Sequence, residues 1–196
     1  MSNTIDDASL KLLFTEARTH NGFLDKPVDD ALIHKAVDIA KMGPTSFNQS
    51  PFRIVFVKSP EARAKIVGAM MEPNKAKTEQ APVVAIVAYD LKFWEHLPFL
   101  FPHMDARGWF SGNEAFAERS AFQNGTLQVG YLILALRAVG LDTGPMSGFD
   151  NKAVDEAFFA GTSYKSNVVI NIGYGDETKL FPRSPRFAFE QIAKFV

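Results

Sequence analysis

The sequence predicts an α+β fold in which a small sheet is flanked by helices. Three observations carry that reading. Helical patterns outnumber strand patterns, and only Phe52 to Val57, Val83 to Tyr89 and Asn167 to Ile172 read as strands. Those strands lie far apart in the chain, with helical stretches between them. One long pattern, Asn113 to Val139, is apolar on nearly every side after Leu127, which marks a central helix. A chain of 196 residues is of a size for one domain, residues 1–196, with a real core.

Taken in order, Asp6 or Asp7 caps a first helix from about Ala8 to Ala17, with Leu10, Leu13, Phe14 and Ala17 on one face. Arg18-Thr19-His20-Asn21-Gly22 ends it. A second helix starts at Pro27-Val28-Asp29, capped by Asp29, and turns Leu32, Ile33, Ala36, Val37 and Ala40 inward. Gly43-Pro44 stops it. Pro60 opens a short helix to Met70, and Pro73 to Gln80 reads as another. The Val83 strand is apolar and β-branched throughout, as a strand buried on both faces must be. Residues 91–112 mix prolines and aromatics without a period. They read equally as a lid or partner-facing excursion and as an aromatic plug in the core. Gly140 to Asp150 holds three glycines and a proline and reads as a turn whose bare backbone approaches a flat ligand. Asp150 caps a helix to about Phe158. From Leu180 the tail reads as extended, because Pro182 and Pro185 oppose a helix there.

Bulk composition excludes several functions. A net charge of −1, from 21 basic and 22 acidic residues, gives no footprint for nucleic acid. With no cysteine, disulfides, thiol catalysis and thiolate metal centres are excluded. The start, Met1-Ser2-Asn3-Thr4-Ile5-Asp6-Asp7, is too polar for a signal peptide. The longest apolar run, Val129 to Leu136, is far short of the roughly 20 residues that span a bilayer. A cytoplasmic enzyme without membrane contact is therefore expected. Phenylalanine, at 18 residues, is in surplus, which calls for an aromatic core or a dimer interface.

Familiar catalytic motifs fail on spacing. Gly173-Tyr174-Gly175-Asp176-Glu177-Thr178 lacks the third glycine of a dinucleotide fingerprint and precedes no helix. Ser147 is one place away from a nucleophile elbow. The histidines at 20, 34, 96 and 103 have no ligand spacing, so no metal is expected.

Five segments remain. They are Arg18-Thr19-His20-Asn21, Pro44-Thr45-Ser46-Phe47-Asn48 with Gln49-Ser50-Pro51-Phe52, the pair Asn74 and Lys77, Pro145-Met146-Ser147-Gly148, and Arg183 with Arg186. Read alone, Arg18 is a helix C-terminal cation, the second segment an Asx-type loop, and the third a solvated helix face. In this order along the chain they resemble the FMN-dependent nitroreductase family. The resemblance implies a mainly antiparallel sheet, a homodimer with two FMN sites at its interface, and a C-terminal tail exchanged with the partner. It implies that Arg18, Thr19, His20 and Asn21 hold the phosphate and ribityl chain, together with Arg183 and Arg186. Pro44, Thr45, Ser46 and Asn48 would reach the flavin of the other subunit. Asn74 and Lys77 would face its pyrimidine edge. Pro145, Met146, Ser147 and Gly148 would cross the ring, with a backbone N–H of Ser147 or Gly148 at N5. Ala17 and Asn21 stand near places where the family has basic residues, Ser50 replaces its glutamine and Phe52 its tryptophan.

The Arg-Thr-His-Asn-Gly segment and the Phe-Pro-Arg-Ser-Pro-Arg tail resemble the malonic semialdehyde reductase branch, which serves pyrimidine utilisation. That implies ping-pong hydride transfer from NAD(P)H through FMN to the aldehyde, giving 3-hydroxypropionate. The substrate carboxylate would then meet His103, Arg107 or Arg119. A broad nitroaromatic or quinone reductase is the alternative, and a flavin-free binding or scaffold protein a third.

Overall fold

The computed structural model describes residues 4–196. The first three residues, part of the polar start that opposes a signal peptide, lie outside the described residues. Helix α1 (Asp7–Leu10) is capped by Asp6, whose carboxylate accepts from Ser9 N at 2.7 Å. It continues as a π-helical turn over Lys11–Thr15, closed by Glu16 N donating to Lys11 O at 3.0 Å. This corrects the expected uniform helix to Ala17. The wider turn shifts the side-chain phase, and of the expected inner face Leu10 and Phe14 are exposed while Leu13 and Ala17 are partly buried.

Helix α2 (Asp30–Ala40) begins at the Asp29 cap and buries Ile33, Ala36 and Ala40. After β1 (Phe52–Val57), Ser59 caps α3 (Pro60–Ala69), and α4 (Glu72–Gln80) follows. Strand β2 (Val83–Asp90) is buried along its whole length. Residues 91–112 are less irregular than expected. A 3₁₀ turn at Phe93–His96 leads into α5 (Leu97–Leu100), and α6 (Arg107–Ser111) follows. Phe93, Leu97, Ala106 and Phe110 form a buried plug against Tyr89, Ala117 and Ala121, while Phe99, Met104 and Trp109 stay on the surface.

Asn113 caps the long helix α7 (Glu114–Ala138). Its inner face, with Leu132, Ala135 and Leu136, is buried, but Leu127 and Tyr131 are exposed, so it is not apolar-packed all round. The segment read as a turn contains a strand, β3 (Asp142–Met146), followed by α8 (Asn151–Phe158) and β4 (Tyr164–Gly173). Glycine and proline disguised β3. Proline is tolerated on an edge strand, and β3 is one. The exposed tail carries a short helix, α9 (Phe189–Ile192), which corrects the fully extended reading. It lies beyond both prolines.

The four strands order as β1-β2-β4-β3, every neighbour antiparallel. Because successive side chains on a strand alternate faces, β2 feeds two cores. Val83, Ala85 and Val87 meet α2 and α7 on one side. Val84, Ile86 and Ala88 meet Ile66 of α3 and Val154 of α8 on the other. None of the described helices is long and apolar enough to cross a membrane.

Candidate functional site

Strand β3 organises the first half of the site. Its inner edge pairs with β4, with Asp142 opposite Gly173 and Met146 opposite Val169. Along its outer edge runs Thr19-His20, bridged at Thr143, with His20 N donating to Thr143 O at 3.0 Å. This approach needs Gly144, because a Cβ there would stand 2.6 Å from His20 O. In an antiparallel ladder backbone groups point alternately inward and outward. Thr143 points its carbonyl outward, and Ser147 follows one residue beyond the end of the strand, its carbonyl accepting from Phe149 N at 3.1 Å.

The first segment ends in a cleft of about 670 Å³ lined by Arg18, Thr19, Asn21, Arg137, Arg183 and Arg186, among others. No carboxylate lines it. Arg183 Nη2 donates to Ala17 O at 3.0 Å, and Arg18 donates to Phe181 O, so the tail is tied to the end of the first helix. Arg186 donates to the neighbouring tail carbonyls of Ser184 and Pro185. Arg137 comes from the last turn of α7. It is half-buried and donates to Leu13 O at 2.9 Å, and its buried Nε has no partner. Burial lowers its pKa, opposed by the Asp142 charge.

His20 is buried and turned to Asp142, with 3.3 Å between Nε2 and Oδ1, while Gly175 N donates to the other Asp142 oxygen at 2.8 Å. Burial pushes the Asp142 carboxyl up. The hydrogen bonds from His20 and Gly175 and the charges of His20 and Arg137 outweigh it and hold the group below the ordinary value. His20 thus locks the Arg18-Thr19 segment onto β3.

At the other end of β3, Gly148 O accepts from Met71 N at 3.0 Å and from Asn74 Nδ2 at 2.9 Å. A Cβ on Gly148 would stand 2.6 Å from that amide nitrogen. Lys77 lies one turn further along α4, and its carbonyl accepts from Asn171 Nδ2 at 3.0 Å. Burial lowers the Lys77 pKa, and no carboxylate pairs with it among the described residues. Asn74, Lys77, Met146 and Gly148 therefore belong to one cluster, with Thr78 touching Met146 Sδ.

Pro44, Thr45, Ser46 and Asn48 stand elsewhere in the protomer. Ser46 N donates to Asn124 Oδ1 at 2.8 Å, Ser50 N to Thr45 Oγ1 at 3.1 Å, and Asn48 Nδ2 to Leu100 O at 2.8 Å. Phe47, Asn48 and Ser50 have positive φ. Such backbone costs on the order of 1–3 kcal/mol per residue outside glycine.

None of the residues considered for a substrate carboxylate lines the arginine cleft. Arg107 grips Asp105 with Nε and Nη2, at 3.0 and 2.9 Å, and that grip draws the Asp105 pKa down to about 2. His103 sits edge-on to Phe101 at 5.1 Å, and Arg119 is exposed on α7. Sequence reasoning missed Arg137, Asp142 and the buried amides of Asn124, Gln128 and Asn171. Ser120, Asn124 and Gln128 recur every four residues on one face of α7, and that spacing was the available signal.

The fold has counterparts among known proteins. A model of the nitroreductase family matches residues 15–174. A Burkholderia lata protein with the provisional name NADH dehydrogenase/NAD(P)H nitroreductase is 61% identical over 191 residues, covering 97% of this chain and 98% of that protein. A provisionally named nitroreductase of Bacillus subtilis superposes with a TM-score of 0.89 at 21% identity, over 97% of this chain and 100% of that one. Another, from Exiguobacterium sibiricum and solved in complex with FMN, gives a TM-score of 0.83 at 20% identity and covers 100% of both chains. The antiparallel sheet, the long α7 and the site along β3 define a protein of the nitroreductase-like α+β class. The chain belongs to the nitroreductase family.

Proposed function

We propose that this protein is a cytoplasmic, homodimeric FMN reductase that uses NAD(P)H to reduce malonic semialdehyde to 3-hydroxypropionate. The observation that carries the cofactor reading is the cleft lined by Arg18, Arg137, Arg183 and Arg186 without a carboxylate, whose Arg18-Thr19 segment is bridged to β3 at Thr143. Guanidinium groups suit a phosphomonoester dianion. Thr19 and Asn21 suit ribityl hydroxyls. Asn74 offers both a donor and an acceptor to a pyrimidine edge, and the half-buried Lys77 gains from negative charge placed there. The donor set present therefore fits FMN.

When bound, FMN supplies hydride transfer between NAD(P)H and the acceptor. The protein's own work is binding and alignment. The arginines would hold the phosphate end, His20 and Asp142 fix the segment that carries Arg18, and Gly148 leaves room for the Asn74 amide. Positioning then supplies most of the rate without an acid–base triad. Within one protomer, residues 44–48 stand apart from the β3 cluster, which supports their use across a dimer. The exposed Phe116, Phe122, Leu127 and Tyr131 on α7 and the exposed aromatic tail support the same arrangement, with the tail exchanged.

The aldehyde assignment rests on the Arg-Thr-His-Asn-Gly and Phe-Pro-Arg-Ser-Pro-Arg segments. The Asp105 clamp on Arg107 and the names of the relatives favour a second reading, a nitroaromatic or quinone reductase. Comparing kcat/KM for malonic semialdehyde and a nitroarene separates the two. In the first case Arg107→Ala raises KM for the acid aldehyde and leaves a neutral quinone unchanged, and equal losses for both remove Arg107 from substrate binding. Purified protein is expected to be yellow and to release FMN. Preparations that stay colourless in excess FMN would end the flavin reading in favour of a binding or scaffold role.

A further inference from the structure

Phe47 (φ 52°), Asn48 (φ 49°) and Ser50 (φ 39°) are the only non-glycine residues with positive φ among the described residues, and all lie in one loop. Left-handed backbone at such residues is strained, so an unsupported loop relaxes out of it. Two anchors oppose that relaxation. Beneath the loop, Ser120, Asn124 and Gln128 stand at i, i+4 and i+8 on α7, hence on one face. Asn124 Oδ1 accepts from Ser46 N at 2.8 Å, while its Nδ2 donates to Ser120 O at 2.9 Å. Gln49 Nε2 donates to Ser120 Oγ at 3.1 Å, and Phe52 N donates to Gln128 Oε1 at 3.1 Å. Gln49 and Gln128 are fully buried, so water does not compete for these bonds. At the side, the Phe47 ring meets Phe101 and Trp109 edge-on at 5.3 and 5.2 Å, and Asn48 Nδ2 donates to Leu100 O at 2.8 Å.

We propose that Ser120, Asn124 and Gln128 are positioning residues. Their polar ladder holds residues 45–52 in the strained conformation that leaves Ser46 and Asn48 exposed for use by the partner subunit's flavin site. The inference rests on the dimeric flavin reading for what the loop serves. The ladder itself reaches no proposed ligand-binding side chain. It grips the loop through the backbone of Ser46 and Phe52 and through the buried Gln49 amide.

Amide hydrogen exchange on the full-length apoprotein, with FMN titration followed by fluorescence, tests this. Asn124→Ala removes the acceptor for Ser46 N. Exchange over residues 45–52 should quicken by about tenfold or more, with β2 and β4 amides unchanged, and FMN affinity should fall by about the same factor. Glycine adopts positive φ without a Cβ penalty. Adding Ser50→Gly to Asn124→Ala should therefore restore most of both losses, which repair of a merely structural defect would not do. Ser120→Ala cuts the Gln49 bond more mildly and gives the same loop-confined effect in smaller measure should Asn124→Ala fail to fold. Acceleration spread evenly over loop and sheet, no acceleration in the loop, or no rescue by Ser50→Gly overturns the proposal. Wild-type protein that binds no FMN overturns the flavin reading instead, and the exchange arm then decides the ladder by itself.

Discussion

Asp142 joins two parts of the site through one carboxylate, taking His20 on one oxygen and Gly175 N on the other. Its folded-state pKa is depressed despite burial. The stability it contributes is therefore present above its unfolded value, near 3.9, and is lost as pH falls through the lower folded value. Asp142→Asn should cost about 1–2 kcal/mol at pH 7, a figure discounted for the partial exposure of the group. The gap from wild type should close in acid. Urea unfolding at pH 7 and at about pH 3 checks this, and a gap that stays constant would mean that the charge is irrelevant. Arg137 shows the limit of reading residues singly. An arginine in the last turn of a helix looks like a cation placed against the helix dipole, and only the fold brings it into the cleft with Arg18, Arg183 and Arg186.

Among the elements, β1, β2 and α2 were legible from period and capping alone, because their burial pattern is local and repeats in the sequence. Strand β3 was not. Its Gly144-Pro145 looks like a turn, and its pairing with β4 and with Thr19 is between residues distant in sequence. The face of the first helix was hidden for a related reason. Leu10 and Phe14 are spaced as core residues, but both are exposed among the described residues. The residue types of the site were visible as chemistry, and so was their order. Their division into a β3 cluster and a separate loop depended on tertiary structure. The junction of β3 with α4 offers a direct check. A Cβ at position 148 would stand 2.6 Å from Asn74 Nδ2, so Gly148→Val forces Asn74 to move. FMN affinity should fall by about tenfold or more while melting temperature drops by only a few degrees, roughly the effect of 1 kcal/mol. Unchanged affinity in a titration would remove Asn74 and Gly148 from the cofactor site.

For the assembled protein, the exposed apolar stripe of α7 and the exposed tail fit burial in a dimer. Phe116→Asp combined with Leu127→Asp places two charges on that stripe, since eleven residues bring the two side chains back to nearly the same face of α7. Sedimentation equilibrium should then show a monomer, with FMN binding lost together with assembly. A monomer that still holds FMN at wild-type affinity would show that one protomer makes a complete site. The two cores on either side of β2 predict a different response, since they do not involve that stripe. The amides of β2 and β4 should remain the slowest to exchange in the doubly charged variant.

Pro145 has one more effect. On the outward-facing register of β3 it removes a backbone donor from an edge that, among the described residues, is bridged only at Thr143 by the Thr19 segment. An invading strand from another molecule would meet a missing rung there, so the ring guards the open margin of the sheet against runaway stacking into fibrils.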